Sequence, residues 1–337
     1  MNITTLRLRY AQFFVICLVC ISLYAMSQSL AGGISEFDNN FWQHKFLIGS
    51  FTKLKLDLGD RVFPQNLVGK DGWLEYTNEE ALDYHQNSVA IPEEKVKYTQ
   101  QIVRELYDEL QKRNIVLVLM IAPDKATIYP DKLPDEIHLG NTESKLDAFS
   151  AYIDQHGPPV WVNLTPPLLN ERKKHDVYYK TDTHWNPYGA FVAYTELINK
   201  LAQTYPQLTP LSINDFIITT SSPVVLDTAG VMGATSLVEP KITFKKKKTK
   251  AIGATPTPSG KPLKLLLYRD SFGRRTQKLI SYNFKKAVFL PNHSRPSLKQ
   301  IEQIKPDIVV IEFVERYFNA GRFDDFISTL LTALNKQ

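Results

Sequence analysis

The feature that most constrains this chain is a set of apolar runs that do not alternate. Residues 115–121, 263–268 and 307–313 are apolar or β-branched at almost every position. A strand with one wet face alternates, so runs of this kind predict strands buried on both faces, as in a parallel sheet. Helical segments separate them. Pro92 opens one whose apolar positions Val96, Val103, Leu106 and Leu110 recur near a 3.6 period. Residues 143–155 read as a helix closed by Gly157, and 160–164 as a further strand. A helix follows Pro187, residues 272–281 are helical, 287–290 extended, 298–304 helical, and 323–334 close the chain as a helix. Strand–helix alternation of this order indicates a doubly wound α/β sheet.

The flanks read differently. Arg7 and Arg9 precede an apolar stretch over residues 11–26, and Ser29-Leu30-Ala31 offers small residues for cleavage. Residues 1–31 therefore read as a secretory signal or an N-terminal membrane anchor, with the body exported in either case. Residues 32–90 read as a loop-rich lead-in without a long periodic segment, packing on the domain. Within it, Val68-Gly69-Lys70-Asp71-Gly72-Trp73-Leu74 predicts a tight turn feeding a short strand. Residues 91–337 form the main domain, interrupted at about 205–262 by a Thr/Ser/Pro-rich insertion with short β-like pieces such as 216–219. The run Lys245-Lys246-Lys247-Lys248-Thr249-Lys250 in that insertion reads as a solvated loop, with an acidic polymer or anionic membrane surface as its functional alternative.

Composition removes several chemistries. Both cysteines, Cys17 and Cys20, lie in the N-terminal segment, so the body has no thiol for a nucleophile, a zinc–thiolate site or a disulfide. The net charge of +5 is mild, and the basic residues are not interleaved with aromatics on a recognisable nucleic-acid module. No nucleotide-binding motif occurs.

Two motifs supply reactive groups. Thr181-Asp182-Thr183-His184-Trp185 puts a carboxylate two residues before an imidazole. In an extended segment those side chains leave the same side, so Asp182 can orient His184. Tyr268-Arg269-Asp270-Ser271-Phe272-Gly273 puts a serine where a strand ends and a helix begins, with its N–H at a helix N-terminus. Together they hold the parts of a Ser–His–Asp site: Ser271 to attack, His184 to take its proton, Asp182 to stabilise the imidazolium. Each part alone has an ordinary reading, because such a serine or Asp270 can simply cap the helix. A metal site drawing on Asp182, His184 and His175 is the competing chemistry, although the other histidines show no ligand spacing. The expectation is no metal and no cofactor.

At these residues the chain resembles the SGNH-hydrolase-like O-acetyltransferases of bacterial exopolysaccharide export, the AlgJ/AlgX type of alginate acetylation. The Asp-x-His-Trp segment matches closely, continuing through Asn186-Pro187-Tyr188-Gly189-Ala190, and Asp270-Ser271 is a relative of the Gly-Asp-Ser block. The order Asp, His, then Ser is itself a mark of the group. Val68 to Leu74, Ala122-Pro123-Asp124-Lys125 and Glu315-Arg316 resemble further family segments. Arg269 departs from the pattern, which has glycine there. The chain also ends with the catalytic-type domain, without the carbohydrate-binding module of AlgX-like members, so it looks more like AlgJ. The resemblance implies an SGNH-like sheet and acetyl transfer to an exported, alginate-like polysaccharide in the periplasm. It makes Ser271 the nucleophile, His184 the base and Asp182 the orienter. Trp185, Tyr188, Lys125 and Arg316 are candidates for lining the sugar or donor site, or for ordinary packing. A membrane-bound O-acyltransferase partner would pass acetyl across the membrane. Acetyl-ester hydrolysis by the same triad, and a non-catalytic polysaccharide-binding subunit, remain the alternatives.

Overall fold

The structure is a computed structural model that describes residues 12–17, 19–21, 23–24, 27, 44–78, 92–137, 143–248 and 262–335. The expected cleavage segment at 29–31 and the last two residues of the lysine-rich run, Thr249 and Lys250, lie outside the described residues. The chain divides into two compact units, Met1–Gly59 and Asp60–Gln337. The described residues of the first are helical between 12 and 27 and again in α1 (His44–Asp57). That helix departs from the loop-rich reading of the lead-in. Ile48, Phe51 and Leu54 recur one turn apart, but Gly49 and Ser50 dilute the pattern and these apolar residues are exposed. No helix among the described residues is long and apolar enough to cross a membrane.

The second unit is built on a five-stranded parallel sheet. Its strands are β4 (Val116–Ala122), β5 (Trp161–Val162), β8 (Lys264–Arg269), β9 (Lys286–Pro291) and β10 (Ile308–Val314). They lie in the order β5–β4–β10–β8–β9. The non-alternating runs become strands with a core on each side. Val118, Met120, Leu265, Leu267, Ile308 and Val310 pack with α6 (Pro187–Ala202) and α8 (Ser271–Asn283). Their neighbours Leu117, Leu119, Leu266, Val309 and Ile311 pack the opposite way. That second face meets α2 (Glu93–Gln111), α4 (Lys145–His156) and α11 (Arg322–Leu334). Shorter helices complete the unit: α3 (Lys125–Ile128), α5 (Thr165–Glu171), α7 (Asp227–Met232), α9 (Leu298–Ile304) and α10 (Glu315–Asn319). The layered α/β architecture is thus the one the apolar runs demand.

Two smaller sheets flank it. Strands β1 (Val62–Phe63), β2 (Asn66–Val68) and β3 (Leu74–Tyr76) form an antiparallel meander. It belongs to the second unit, and Leu74 N donates to Lys180 O at 2.8 Å. The insertion forms a hairpin, β6 (Phe216–Val224) against β7 (Glu239–Lys246), with its register interrupted between Thr220 and Pro223. The lysine run therefore starts within a strand and not in a loop. Lys245 and Lys246 pair with Ile217 and Phe216, because the backbone ladder and Phe244 hold β7 while the lysine heads stay at the surface.

Candidate active site

Three of the parallel strands deliver residues to one end of the sheet. Strand β4 leads to Asp124 and Lys125, β8 to Asp270 and Ser271, and β10 to Glu315 and Arg316. The carboxyl end of a parallel sheet is where such folds bind ligands.

The Asp–His loop is clamped over this end. Its base is closed by an isolated bridge between Tyr178 and Trp185 and by Asn186 N donating to Val177 O at 2.9 Å. Asn186 then caps α6, accepting from Tyr188 N at 2.8 Å and Gly189 N at 3.3 Å. Gly189 has no alternative here, since a Cβ would lie 2.3 Å from Val177 O. Residues 181–184 bend instead of extending. The Asp182 carboxylate folds back on His184, taking its backbone N–H at 3.0 Å and facing Nδ1 at 2.7 Å. This is a local side-chain turn, tighter than the extended geometry expected from the sequence.

Both members of the pair are buried. The second Asp182 oxygen accepts from Arg275 Nη2 at 3.0 Å. Burial alone would raise the Asp182 carboxyl, but the His184 bonds and the Arg275 charge outweigh it and hold it below its ordinary value. The carboxylate therefore stays ionised through the physiological range, as an orienter must. The His184 ring rests against Phe272, with centroids 4.9 Å apart, and its Nε2 is buried without a hydrogen-bond partner among the described residues.

Ser271 is the first residue of α8 and is exposed. Its hydroxyl does not bond Nε2 in this state. Two contacts tie the neighbouring backbone to the Asp–His loop: Trp185 Nε1 donates to Phe272 O at 3.1 Å, and the His184 ring packs on Phe272. Asp270 is the N-cap, accepting from Phe272 N at 2.7 Å, while its other oxygen takes Val314 N at 2.6 Å. Asp270 N in turn donates to Glu312 Oε2 at 3.0 Å. Glu312 is fully buried; burial first, then the charge of Asp270, drive its carboxyl well above the ordinary value. Gly273 completes the turn, because a Cβ there would meet Arg269 Cβ and Glu312 Oε2, each at 2.6 Å.

The weaker candidates take distinct places. Lys125 is buried, donating to the carbonyls of Tyr179, Lys180 and Asp182 at 3.3, 3.2 and 2.9 Å. It props the loop from beneath, and burial pulls its pKa down. Arg316 is buried too, its Nη1 2.5 Å from Asp124 Oδ1. Glu315 accepts from Asp124 N at 2.8 Å and Thr127 Oγ1 at 2.6 Å, and burial pushes its carboxyl up to about 8. Buried Glu75 of β3 is raised by the same cause to about 7. Trp185 has no exposed surface. Tyr188 stacks on His175 at 4.2 Å and borders a separate cavity with Glu171 and Lys174.

The sequence reading did not single out Arg275, Asp227, Glu239 or Glu312. Arg275 stands four residues after Ser271, one helical turn on the same face, so helical spacing was the available signal. Glu312 was visible as a lone acid in an apolar strand. Asp227, exposed on α7, brings Oδ2 to 3.9 Å from His184 Nδ1. Asp182, His184 and Asp227 offer ligand atoms within 4.8 Å of one another. Asp182 is already engaged by His184 and by the Arg275 cation, which opposes a second positive charge there. His175, by contrast, pairs with Glu171 at 2.7 Å and does not join them.

Comparison with known proteins shows the family and the fold. Residues 67–264 match the family described as SGNH hydrolase-like domain, acetyltransferase AlgX. The chain is 29% identical over 173 residues to the probable alginate O-acetylase AlgJ of Pseudomonas syringae pv. tomato, covering 51% of this chain and 42% of that protein. It is 28% identical over 213 residues to the AlgJ of Azotobacter vinelandii, covering 58% and 53%. The chain thus spans about half the length of the curated relatives it matches. Among solved structures, the O-acetyltransferase domain of Pseudomonas putida AlgJ superposes with a TM-score of 0.54 at 20% identity, over 80% of this chain and 99% of that one. Bacillus cereus PatB1 gives 0.56 at 15% identity, over 78% and 99%. These likenesses show the fold.

Proposed function

The chain belongs to the SGNH hydrolase-like, AlgX-type acetyltransferase family, and from that premise we propose that it transfers acetyl groups to hydroxyls of an exported, alginate-like polysaccharide through an acyl-enzyme on Ser271. The observation that carries this is the buried Asp182–His184 couple, whose Nε2 is unspent and whose ring packs on the residue next to Ser271.

The steps follow from the groups present. His184 Nε2 takes the Ser271 proton as the hydroxyl attacks a donor acetyl carbonyl, and ionised Asp182 stabilises the imidazolium. Charge on the carbonyl oxygen meets the N-terminus of α8, where the Ser271 N–H and the helix dipole favour it. His184 returns the proton to the leaving group. A sugar hydroxyl, deprotonated by His184, then accepts the acetyl and frees Ser271. The Ser271–His184 hydrogen bond is not made in the present state, and such bonds commonly tighten only with substrate bound. Acetyl-ester hydrolysis would use the same residues, with water replacing the sugar.

Residues 1–31 direct export of the body to the periplasm, as signal or anchor. A membrane-bound acyltransferase supplies acetyl from the cytoplasmic side. The test is intact-mass analysis after incubation with a small acetyl ester. Wild type gains one acetyl group on the peptide containing Ser271, and a polymer acceptor discharges it. Ser271→Ala gains none, and its turnover falls roughly 10⁴-fold or more with an unchanged melting temperature. Acetylation elsewhere, or retained turnover in the alanine variant, removes Ser271 from the chemistry.

A further inference from the structure

The insertion that forms the β6–β7 hairpin displays groups that the chemistry at Ser271 does not use. Among the described residues of the second unit, eight large apolar side chains are exposed. Six of them belong to this one segment: Ile217, Ile218, Val224, Val225, Val231 and Val238. Of the nine residues of β6, only Phe216 is buried. Exposed apolar groups concentrated in this way mark a contact surface. We propose that the hairpin is a docking ribbon that lies on an anionic phospholipid surface. Docking of this kind is independent of whether Ser271 carries an acyl group.

Four of the apolar groups gather at the closed end. Val224 stands opposite Glu239, the neighbour of Val238. Val225 lies against α7, where a Cβ on Gly230 would be 3.8 Å from its Cγ1. Val231 follows on the same helix and is 63% exposed. Ile217 marks the other end of the ribbon, opposite Lys245. Along β7 and just past it, Lys241, Lys245, Lys247 and Lys248 are exposed. The two acids of residues 216–248 are directed instead at the Asp182–His184 loop. Glu239 accepts from Lys180 N and Thr181 N at 3.1 and 2.6 Å, and half-exposed Asp227 comes within 3.9 Å of His184 Nδ1. The lysines are left to set the outward charge.

A strand rises about 3.3 Å per residue, so β7 makes a ribbon roughly 25 Å long, with lysines along it and apolar groups at both ends. Such a ribbon suits a flat occupant. At a lipid interface apolar side chains enter the headgroup boundary, while each lysine adds attraction to anionic lipid and lays its methylene stem along that boundary. An acidic polymer would meet the lysines and leave the valines wet. A second copy would crowd charges of one sign at a shared interface. Seated on lipid, the hairpin carries the site with it. Tyr179 Oη donates to Ile242 O at 3.2 Å and accepts from Ile242 N at 3.0 Å, and the Thr181 hydroxyl donates to Glu239 at 2.7 Å. The Asp182–His184 loop is thereby held beside the membrane surface.

The experiment reads one position on the hairpin, so that membrane contact by residues 1–31 does not enter. Outside Cys17 and Cys20 the chain has no thiol. Full-length Cys17→Ser/Cys20→Ser protein carrying Val231→Cys therefore takes a single fluorophore, and is mixed with phosphatidylglycerol vesicles whose acyl chains bear bromine. Bromine is expected to quench this label and to spare one at Glu105→Cys, exposed on α2. Quenching should be weak on phosphatidylcholine and should fall with added salt. Adding Lys245→Gln, Lys247→Gln and Lys248→Gln should lower the ratio of docked to undocked label roughly 100-fold, about fivefold per lysine. Val238→Cys repeats the measurement if a label at position 231 disturbs α7. Equal quenching at the hairpin and at α2, quenching as strong on phosphatidylcholine, or quenching unchanged in the glutamine variant would each overturn the assignment. So would shielding of the label from aqueous iodide, without lipid, by a uronate oligomer or by raised protein concentration, since the occupant would then be the polymer or a second copy.

Discussion

The Asp182–His184 loop and the Ser271 turn meet through Phe272 but are built differently. The Asp–His couple is local, Asp182 reaching two residues along the chain while the Tyr178–Trp185 bridge closes the loop's base, although Lys125, Arg275 and Glu239 brace the loop from outside. The Ser271 turn depends on strangers. Asp270 is fixed by Val314 N, 44 residues away, and its own N–H by Glu312, 42 residues away. A reactive pair can thus be written in a short motif, whereas the platform for a nucleophile is assembled only when β8 and β10 pair.

That contrast is open to test. Asp182→Asn keeps the shape of the loop but loses the charge, and is expected to cut acetyl-ester kcat/KM by about 10³–10⁴-fold, with little change in melting temperature. Asp270→Ala should do the reverse in kind. It strips a cap and leaves two buried N–H groups unpaired, so denaturant titration should show about 2–4 kcal/mol lost. If Asp270→Ala proved as stable as wild type, the supposed dependence of the turn on β10 would fail.

Smaller effects sharpen the comparison. Gly273→Ala must displace Arg269 or Glu312, and overpacking of this kind costs about 1–3 kcal/mol by the same titration. The loop should tolerate a small change at half-buried Thr183, such as Thr183→Ser, within about 0.5 kcal/mol. Buried Glu315, raised from 4.5 to about 8, gives a pH signature. A raised carboxyl binds its proton more tightly when folded, so its stabilisation is full below pH 4.5 and is lost as pH rises through 8. Glu315→Gln, which can still accept from Asp124 N and Thr127, should flatten the fall in stability over that window by on the order of 1–3 kcal/mol. A variant whose melting temperature falls with pH as steeply as wild type would contradict this. Asp182 has the opposite sign, its contribution being lost only as pH drops through its lowered pKa.

The same distinction governs what could be read before the fold was known. The strands at 116–122, 264–269 and 308–314 were legible because a strand buried on both faces leaves a solid apolar run. Helix α6 was legible through Pro187, and Asn186 proves to be its cap. Helix α1 was not, since Gly49 and Ser50 break its apolar pattern and Ile48, Phe51 and Leu54 are exposed. Nor was β7, where lysines that suggest a loop are carried by a backbone ladder indifferent to side-chain charge. Within the site, Asp182, His184 and Ser271 were named from their motifs. The roles of Lys125 and Arg316 as buried props depended on carbonyls and a carboxylate that only the sheet brings near. Arg275 and Glu239 were ordinary charged residues until α8 and the hairpin met the loop.

The hairpin's anchorage to that loop has a mechanical consequence. It is attached at two separate places, Tyr179 to Ile242 and Thr181 to Glu239, on either side of Lys180. A single pin would let the arm swivel; two make it a lever. Whatever tugs on its outer strand is therefore felt one residue from Asp182, and strain on the arm is passed to the carboxylate that holds the His184 ring.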